Sequence, residues 1–257
     1  MQVLAGAVLA AAVSLVANRT HILTQSGAIA AFFIGTIIFG LGGWPYAALL
    51  FAFFIPSAAL SRLGRERKKA LADVGKQGAR DAWQVLANGG LAAACVVAGA
   101  VTHDGFARYA YAGALAAASS DTWGTEIGTL ARMTPRSILT FAPIPAGFSG
   151  GVTLIGTVAE VAGAAVLALI AAALAVGAAL PILAAGFAGA LIDSFLGATL
   201  QTLWFCGACG RACETNPHHC GTPATLIRGV RWMNNDAVNF CATLAGAAIA
   251  VLLSRLL

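Results

Sequence analysis

Residues Gly150 to Gly177 read GGVTLIGTVAEVAGAAVLALIAAALAVG, an apolar run interrupted by one ionisable side chain, Glu160. A helix that crosses the hydrocarbon core of a bilayer needs about 20 such residues. The stretch therefore reads as a membrane span with a carboxylate inside it, and the rest of the chain repeats the pattern. Of the 257 residues, 59% are hydrophobic and 10% charged, against about 25% charged in soluble proteins. So few charges could not solvate the surface of a water-soluble domain. Ala and Gly dominate over Val, Ile and aromatics, which favours closely packed helices over a barrel of alternating strands. The expected fold is all-α, a polytopic transmembrane helix bundle of seven or eight spans, some interrupted by Gly or Pro. It forms a single integral membrane domain over 1–257.

Candidate spans lie near 1–17, 26–43, 45–60, 85–102, 109–130, 150–177, 182–204 and 236–254. Gly42-Gly43-Trp44-Pro45 is a turn signal that splits 26–60 into two full spans or two shorter, tilted ones. No basic segment precedes the first apolar run, so it reads as a retained helix rather than a cleaved signal peptide. With eight spans and the basic loop 61–84 in the cytoplasm, loops 18–25, 131–149 and 205–235 are cytoplasmic too. Arg19, Arg62, Arg65, Arg67, Lys68, Lys69, Lys76, Arg80, Arg132, Arg136, Arg211, Arg228 and Arg231 then fall inside, and only Arg108 and Arg255 outside. That is the asymmetry of the positive-inside rule. It accounts for the net charge of +5 without a nucleic-acid partner, and places both termini outside a prokaryotic inner (plasma) membrane or its equivalent.

An ionisable side chain at the bilayer centre costs at least about 2.5–3.5 kcal/mol, so it marks a functional site by default. Asp121 and Glu126 fall in the cytoplasmic half of the fifth span, Glu160 in that of the sixth, and Asp236 at the start of the eighth. Asp193 lies near the middle of the seventh. Polar neighbours recur at helical spacing: Thr153, Gly156, Thr157 and Glu160; Asp193, Gly197 and Gln201; Asn235, Asp236 and Asn239. Asn88 lies just inside the fourth span. Taken singly, such residues can be helix-to-helix glue. Four carboxylates at one depth repel one another unless cations sit among them, and hard oxygen ligands suit Mg²⁺. A metal bound to phosphates resolves that repulsion.

Two loops fit a phosphate ligand. The basic segment from Arg62 sets orientation and meets anionic head groups. Its last members, Lys69, Lys76 and Arg80, lead into the span carrying Asn88, and cations at a membrane entrance can capture a phosphorylated ligand. Gly147-Phe148-Ser149-Gly150-Gly151-Val152-Thr153 opens the sixth helix, where the N–H groups of Gly150 and Gly151 can face an anion. No Gly-Lys-Ser/Thr follows, so it is not a Walker A loop. A third loop carries Cys206-Gly-Ala-Cys209, Cys213 and His218-His219-Cys220. Cys206, Cys209 and Cys220, with His218, His219 or Cys213 as the fourth ligand, can wrap a tetrahedral, structural Zn²⁺. A reducing cytoplasm argues against a disulfide there. Cys95 and Cys241 lie in spans and are expected to pack.

Five segments together resemble the signature of a widespread membrane family: Gln84–Asn88, Ser120-Asp121-Thr122-Trp123-Gly124-Thr125-Glu126-Ile127-Gly128, the glycine run 147–157, Asp193–Gln201 and Asn234–Asn239. The chain is identified as a member of domain-of-unknown-function family ninety-two, which includes transmembrane protein nineteen and plant and cyanobacterial phytyl-phosphate kinase. The resemblance covers essentially the whole chain. It implies transfer of a phosphoryl group from a nucleoside triphosphate, CTP by family association, to a prenyl monophosphate such as phytyl or geranylgeranyl phosphate. The Cys/His loop departs from the plant enzymes' pattern, so nothing near 206–220 is carried over.

On that reading Asp121, Glu126 and Asp193, with Asp236 a further candidate, hold Mg²⁺. Lys69, Lys76 and Arg80 grip the triphosphate. Gly150, Gly151 and Thr153 line its site, and Asn88, Asn235 and Asn239 orient phosphate or metal-bound water. Two alternatives share these residues: a membrane cytidylyltransferase making a CDP-activated lipid, and a lipid or small-molecule transporter. The transporter calls for a repeat between halves and polar residues through the outer half of the membrane, and the chain offers neither. A purely structural scaffold leaves the intramembrane carboxylates without a role.

Overall fold

The computed structural model describes residues 1–64 and 78–256. Its long helices are α1 (Gln2–Arg19), α2 (Gln25–Ile37, prolonged by a π-helical turn Ile38–Gly42), α3 (Trp44–Arg62), α4 (Ala82–Thr102), α5 (Phe106–Leu130), α6 (Leu154–Ala173), α7 (Ala179–Thr199) and α8 (Asn235–Leu256). Among the described residues, seven are long and apolar enough to cross a membrane, and α5 is long enough but carries Asp121 and Glu126. The protein is an all-α polytopic membrane protein. Large apolar side chains such as Val8, Phe33, Ile55, Val101, Leu169 and Leu252 stand exposed on the outside of the bundle, where lipid, not water, is their natural neighbour.

Gly43, at φ +76°, ends the π-turn and starts α3, so Gly42–Pro45 separates two full spans. The loop Ile22–Thr24 is laced to Arg80 by Thr24 N–H to Arg80 O and Arg80 N–H to Ile22 O, both 3.0 Å. Those bonds put the start of α2 beside the start of α4. Arg62 at the end of α3 donates to Thr20 O at 2.6 Å. At the opposite end of the bundle, the Gln2 side chain donates to Phe39 O at 3.0 Å, and Arg255 stacks on Phe106 at 4.4 Å.

The centre of the bundle is α5, whose residues Tyr111 to Ser120 are all buried. Only small side chains let four helices approach one core helix this closely. A Cβ on Gly113 would lie 2.5 Å from the Gly246 carbonyl of α8, and one on Gly189 of α7 would lie 2.5 Å from Ala117. Hydroxyls fix the register with α6: Ser119 donates to Gly163 O at 3.3 Å and Ser120 to Glu160 O at 2.8 Å. Thr243 of α8 reaches Ala87 O of α4 at 3.2 Å.

Two small antiparallel sheets lie in the loops, beyond the sequence expectation. β1 (Arg136–Ser137) pairs with β2 (Gly151–Val152), and β3 (Leu203–Cys206) lies between β4 (Arg211–Cys213) and β5 (Thr225–Arg228). They correct two expected spans. The sixth does not begin at 150, because 151–152 pair with β1 and the Thr153 side chain then caps α6 at Gly156 N–H, 3.0 Å away. The seventh does not reach 204, because Leu203-Trp204-Phe205, apolar enough for either fate, pairs as β3.

Candidate active site

The basic-loop end of the bundle opens into a polar cavity of about 360 Å³. Its walls carry Ser61 of α3, Asn88 of α4, Asp121 and Glu126 of α5, Glu160 of α6, Asp193 of α7, and Asn235 and Asn239 of α8, with Arg80 and Glu214 from loops. Residues far apart in sequence are thus brought together around one space. Close approach of α5 and α6 produces part of it: a Cβ on Gly124 would lie 2.4 Å from the Glu160 side chain, so glycine there lets Glu160 lie across α5.

The carboxylates are held in different ways. Glu126 Oε1 accepts from Ser61 Oγ at 2.7 Å, and Ser61 Oγ in turn accepts from the Arg80 guanidinium at 2.9 Å. Arg80 also donates to Ser57 O at 3.3 Å. Burial pulls the Arg80 pKa down and the Glu126 charge pulls it back up. By contrast, Asp193 Oδ2 and Glu160 Oε2 are buried with no hydrogen-bond partner among the described residues, although Asp193 lies within electrostatic reach of Asp121, Glu160 and Glu214. Buried acceptors left unpaired cost about 1–3 kcal/mol each, and more when charged.

Such oxygens suit a hard divalent cation, as does a donor set made of carboxylates and amides. Among the described residues, however, these acids do not form a group of three placed to hold a metal ion by themselves. The arrangement is not a closed ion cage. It fits Mg²⁺, which keeps several waters and takes one or two carboxylates along with substrate phosphates.

Other sequence candidates take different places. Asp236 is buried at the first turn of α8, and the cavity wall there is Asn235 and Asn239 instead. Lys69 and Lys76 lie outside the described residues. Thr153 lines the cavity, yet its hydroxyl is engaged as the α6 cap. Gly151 N–H is directed to Phe148 O at 3.2 Å. The expected anion-binding glycine loop is therefore turned to a carboxylate: Ser149 donates its N–H to Glu214 Oε1 at 2.8 Å and its hydroxyl to Glu214 Oε2 at 3.0 Å. Gln201 adds a bond to Glu214 at 3.0 Å. Burial raises the Glu214 pKa, against the lowering effects of Ser149, Arg228 and Gln201.

Gly150, at φ +83°, makes the loop possible. A Cβ there would lie 2.4–2.8 Å from the Cβ, Cα and N of Ala198 on α7. Gly150→Ala combines a disfavoured backbone conformation with a backbone overlap. It is expected to cost about 2 kcal/mol or more and to lower the thermal unfolding midpoint in detergent.

A second, apolar slot of about 100 Å³ lies between α1, α2, α3 and α4. It runs from Gly6, Phe39 and Ala47 at the far end of the bundle, past Leu9, Val13, Ala31 and Leu50, to Leu23 and Arg80. Phe53, Arg80, Gln84 and Asn88 line both slot and polar cavity. The apolar slot and the acid-lined chamber thus share part of one wall.

In the loop 205–235, Cys206, Cys209, His218 and Cys220 place their ligand atoms within 4.8 Å of one another, a cluster able to hold a metal. Cys213 instead donates to Thr215 O at 3.4 Å, and the His219 ring packs at a tilt against His218 with ring centroids 3.9 Å apart. Hydrogen bonds from Thr222 and His218 pull the Cys220 thiol down to about 5, while hydrogen bonding to Cys220 pushes Cys209 up to about 11.

Fold and site define a polytopic membrane protein with an acid-lined chamber at one end of its bundle. The chain belongs to the family described as Integral membrane protein DUF92, whose model matches residues 8–247. Protein PGR of Arabidopsis thaliana is 34% identical, with 90% of each chain covered. An uncharacterized membrane protein of Methanocaldococcus jannaschii is 31% identical over 93% of this chain and 89% of its own. Protein VTE6, chloroplastic, of Arabidopsis thaliana is 27% identical over 91% of this chain and 66% of its own. No solved structure gives a significant match.

Proposed function

We propose that the protein is a prenyl-phosphate kinase that moves the terminal phosphoryl group of a nucleoside triphosphate, CTP by family association, onto a prenyl monophosphate. The observation that carries this reading is the adjacency of the apolar slot and the acid-lined chamber, which share Phe53, Arg80, Gln84 and Asn88 in their walls. An amphiphile with a long hydrocarbon tail and an anionic head fits both at once. The chamber lies at the end carrying Arg19, Arg62, Arg80, Arg132, Arg136, Arg211, Arg228 and Arg231. Under the positive-inside rule that end faces the cytoplasm, where nucleotides are abundant.

The chemistry asks little of a general base, because the prenyl phosphate oxygen is already an anionic nucleophile. That oxygen attacks the terminal phosphorus of the triphosphate; the bond from this phosphorus to the bridging oxygen breaks, and the nucleoside diphosphate leaves with the electron pair. Such transfers depend on positioning and charge neutralisation. Asp121, Glu126, Glu160 and Asp193 would hold Mg²⁺, which supplies charge neutralisation between the two polyanions. Arg80, steadied by Ser61 beside Glu126, contributes a fixed positive charge where the head group meets the tail. Lys69 and Lys76 would grip the triphosphate. Asn88, Asn235 and Asn239 orient phosphate oxygens.

The test is to mix purified protein with geranylgeranyl or phytyl monophosphate, Mg²⁺ and each γ-labelled nucleotide. Label is expected in a prenyl diphosphate, with nucleoside diphosphate released. Labelled pyrophosphate together with a CDP-lipid would make the protein a cytidylyltransferase, and no transfer from any nucleotide would remove the kinase reading. A through-membrane transporter is disfavoured by the closed packing of Tyr111 to Ser120 behind the chamber.

A further inference from the structure

We infer that Cys206, Cys209, His218 and Cys220 form a structural zinc site, and that this ion fixes the small sheet from which Glu214 reaches the chamber. The inference does not rest on the kinase reading. Cys206 and Cys220 sulfurs lie 3.6 Å apart and His218 Nδ1 lies 3.2 Å from Cys220 Sγ. Two thiolates about 2.3 Å from one tetrahedral zinc sit roughly 3.8 Å from each other, so the thiols already stand near ligand spacing. All four cysteines of the loop are free thiols.

The backbone is shaped the same way on both sides of the cluster. After Cys209, Gly210 at φ +65° returns its N–H to Cys206 O at 2.9 Å. After Cys220, Gly221 at φ +82° returns its N–H to His218 O at 2.8 Å. Two tight turns, each ending in Cys-Gly with the glycine left-handed, thus present two ligands apiece to one point. Soft thiolates with one imidazole select zinc over the hard cations suited to the carboxylate chamber, and four protein ligands leave no position for catalysis.

The consequence for the chamber follows from chain connectivity. The first pair of ligands closes the turn between β3 and β4, and Glu214 is the next residue after β4. On the other edge of β3, Arg228 of β5 donates to Gly197 O of α7 at 3.0 Å. The three strands are only three or four residues long, shorter than the usual five or six, and an ion at the sheet's tip supplies a further constraint.

The test uses untagged full-length protein in detergent. Metal analysis is expected to find about one zinc per chain, and cobalt substitution to give the thiolate-to-cobalt charge-transfer absorption of three sulfurs. Cys206→Ser with Cys209→Ser should abolish both, whereas His218→Cys should retain the metal and strengthen the charge-transfer band. Removing zinc with a chelator should raise hydrogen exchange across 203–228 and leave the helices unchanged. Protein supplied with zinc that holds none, cobalt binding without thiolate charge transfer, or a double variant that keeps its zinc would each overturn the assignment. So would unchanged exchange at 203–228 for the positioning of Glu214. Should the serine variant fail to fold, the His218→Cys spectrum still decides.

Discussion

Asp193→Asn is expected to lower phosphoryl transfer by on the order of 10²–10³, the scale of losing one preorganised charge-stabilising group, while leaving the ligand-free protein at least as stable as its parent. The two effects share a cause. Asp193 Oδ2 is buried without a hydrogen-bond partner among the described residues, close enough to Asp121, Glu160 and Glu214 for their charges to oppose its own. Replacing the carboxylate by an amide removes that like-charge repulsion. It also removes an oxygen that would neutralise a cation between two phosphates. A residue kept for packing would behave in the opposite way, with stability falling and turnover following it. The paired measurement is turnover under saturating Mg²⁺ and nucleotide against the thermal unfolding midpoint without either. In the parent, Mg²⁺ with nucleotide should raise that midpoint by mass action, and in Asp193→Asn most of the rise should vanish. Loss of stability together with unaltered turnover would take Asp193 out of the site.

How much of this was legible in the residues depends on contrast with their surroundings. Asp121, Glu160 and Asp193 could be found because each interrupts an apolar run in which a charge is expensive; helical spacing then grouped Asn235 with Asn239, and the start of the fourth span placed Asn88 at a similar depth. Glu214 could not. It follows Cys213 in a polar loop where a carboxylate costs nothing, and only the fold brings it to Ser149 and Gln201. The one available hint was Gln201, a buried amide at a helix end that needs a partner. The strands were equally silent, since runs of two to four residues carry too few positions to show a period. Thr153 was recognised as part of a polar stripe, yet whether a threonine before a helix caps it or faces a ligand is a matter of one rotamer. The spans were readable through their length and composition, but their ends shifted wherever a cap or a strand competed for the same residues.

The apolar slot was the least visible feature, because the side chains lining it are of the same kinds as those facing lipid. Its role leads to the second large effect. Leu50 lies about one helical turn beyond Phe53 on α3, on the side away from the chamber, where it lines the slot but not the chamber, and Ala31 lines the slot from α2. Filling either position should shorten the slot without touching the chamber. Each buried CH₂ contributes about 0.8 kcal/mol, so a tail displaced by two such groups loses roughly tenfold in affinity or more. Leu50→Trp is therefore expected to reduce kcat/KM for geranylgeranyl or phytyl phosphate by at least about tenfold relative to a shorter prenyl phosphate, with the nucleotide KM unchanged. Ala31→Phe, from the opposite wall, should act in the same direction. A shift in preference toward short tails, seen in both variants, separates a tail site from general damage, which would lower activity on every substrate alike. If both variants keep the parental order of preference, the tail lies elsewhere on the bundle, and the wall that slot and chamber share at Arg80 and Asn88 serves some purpose other than holding the substrate.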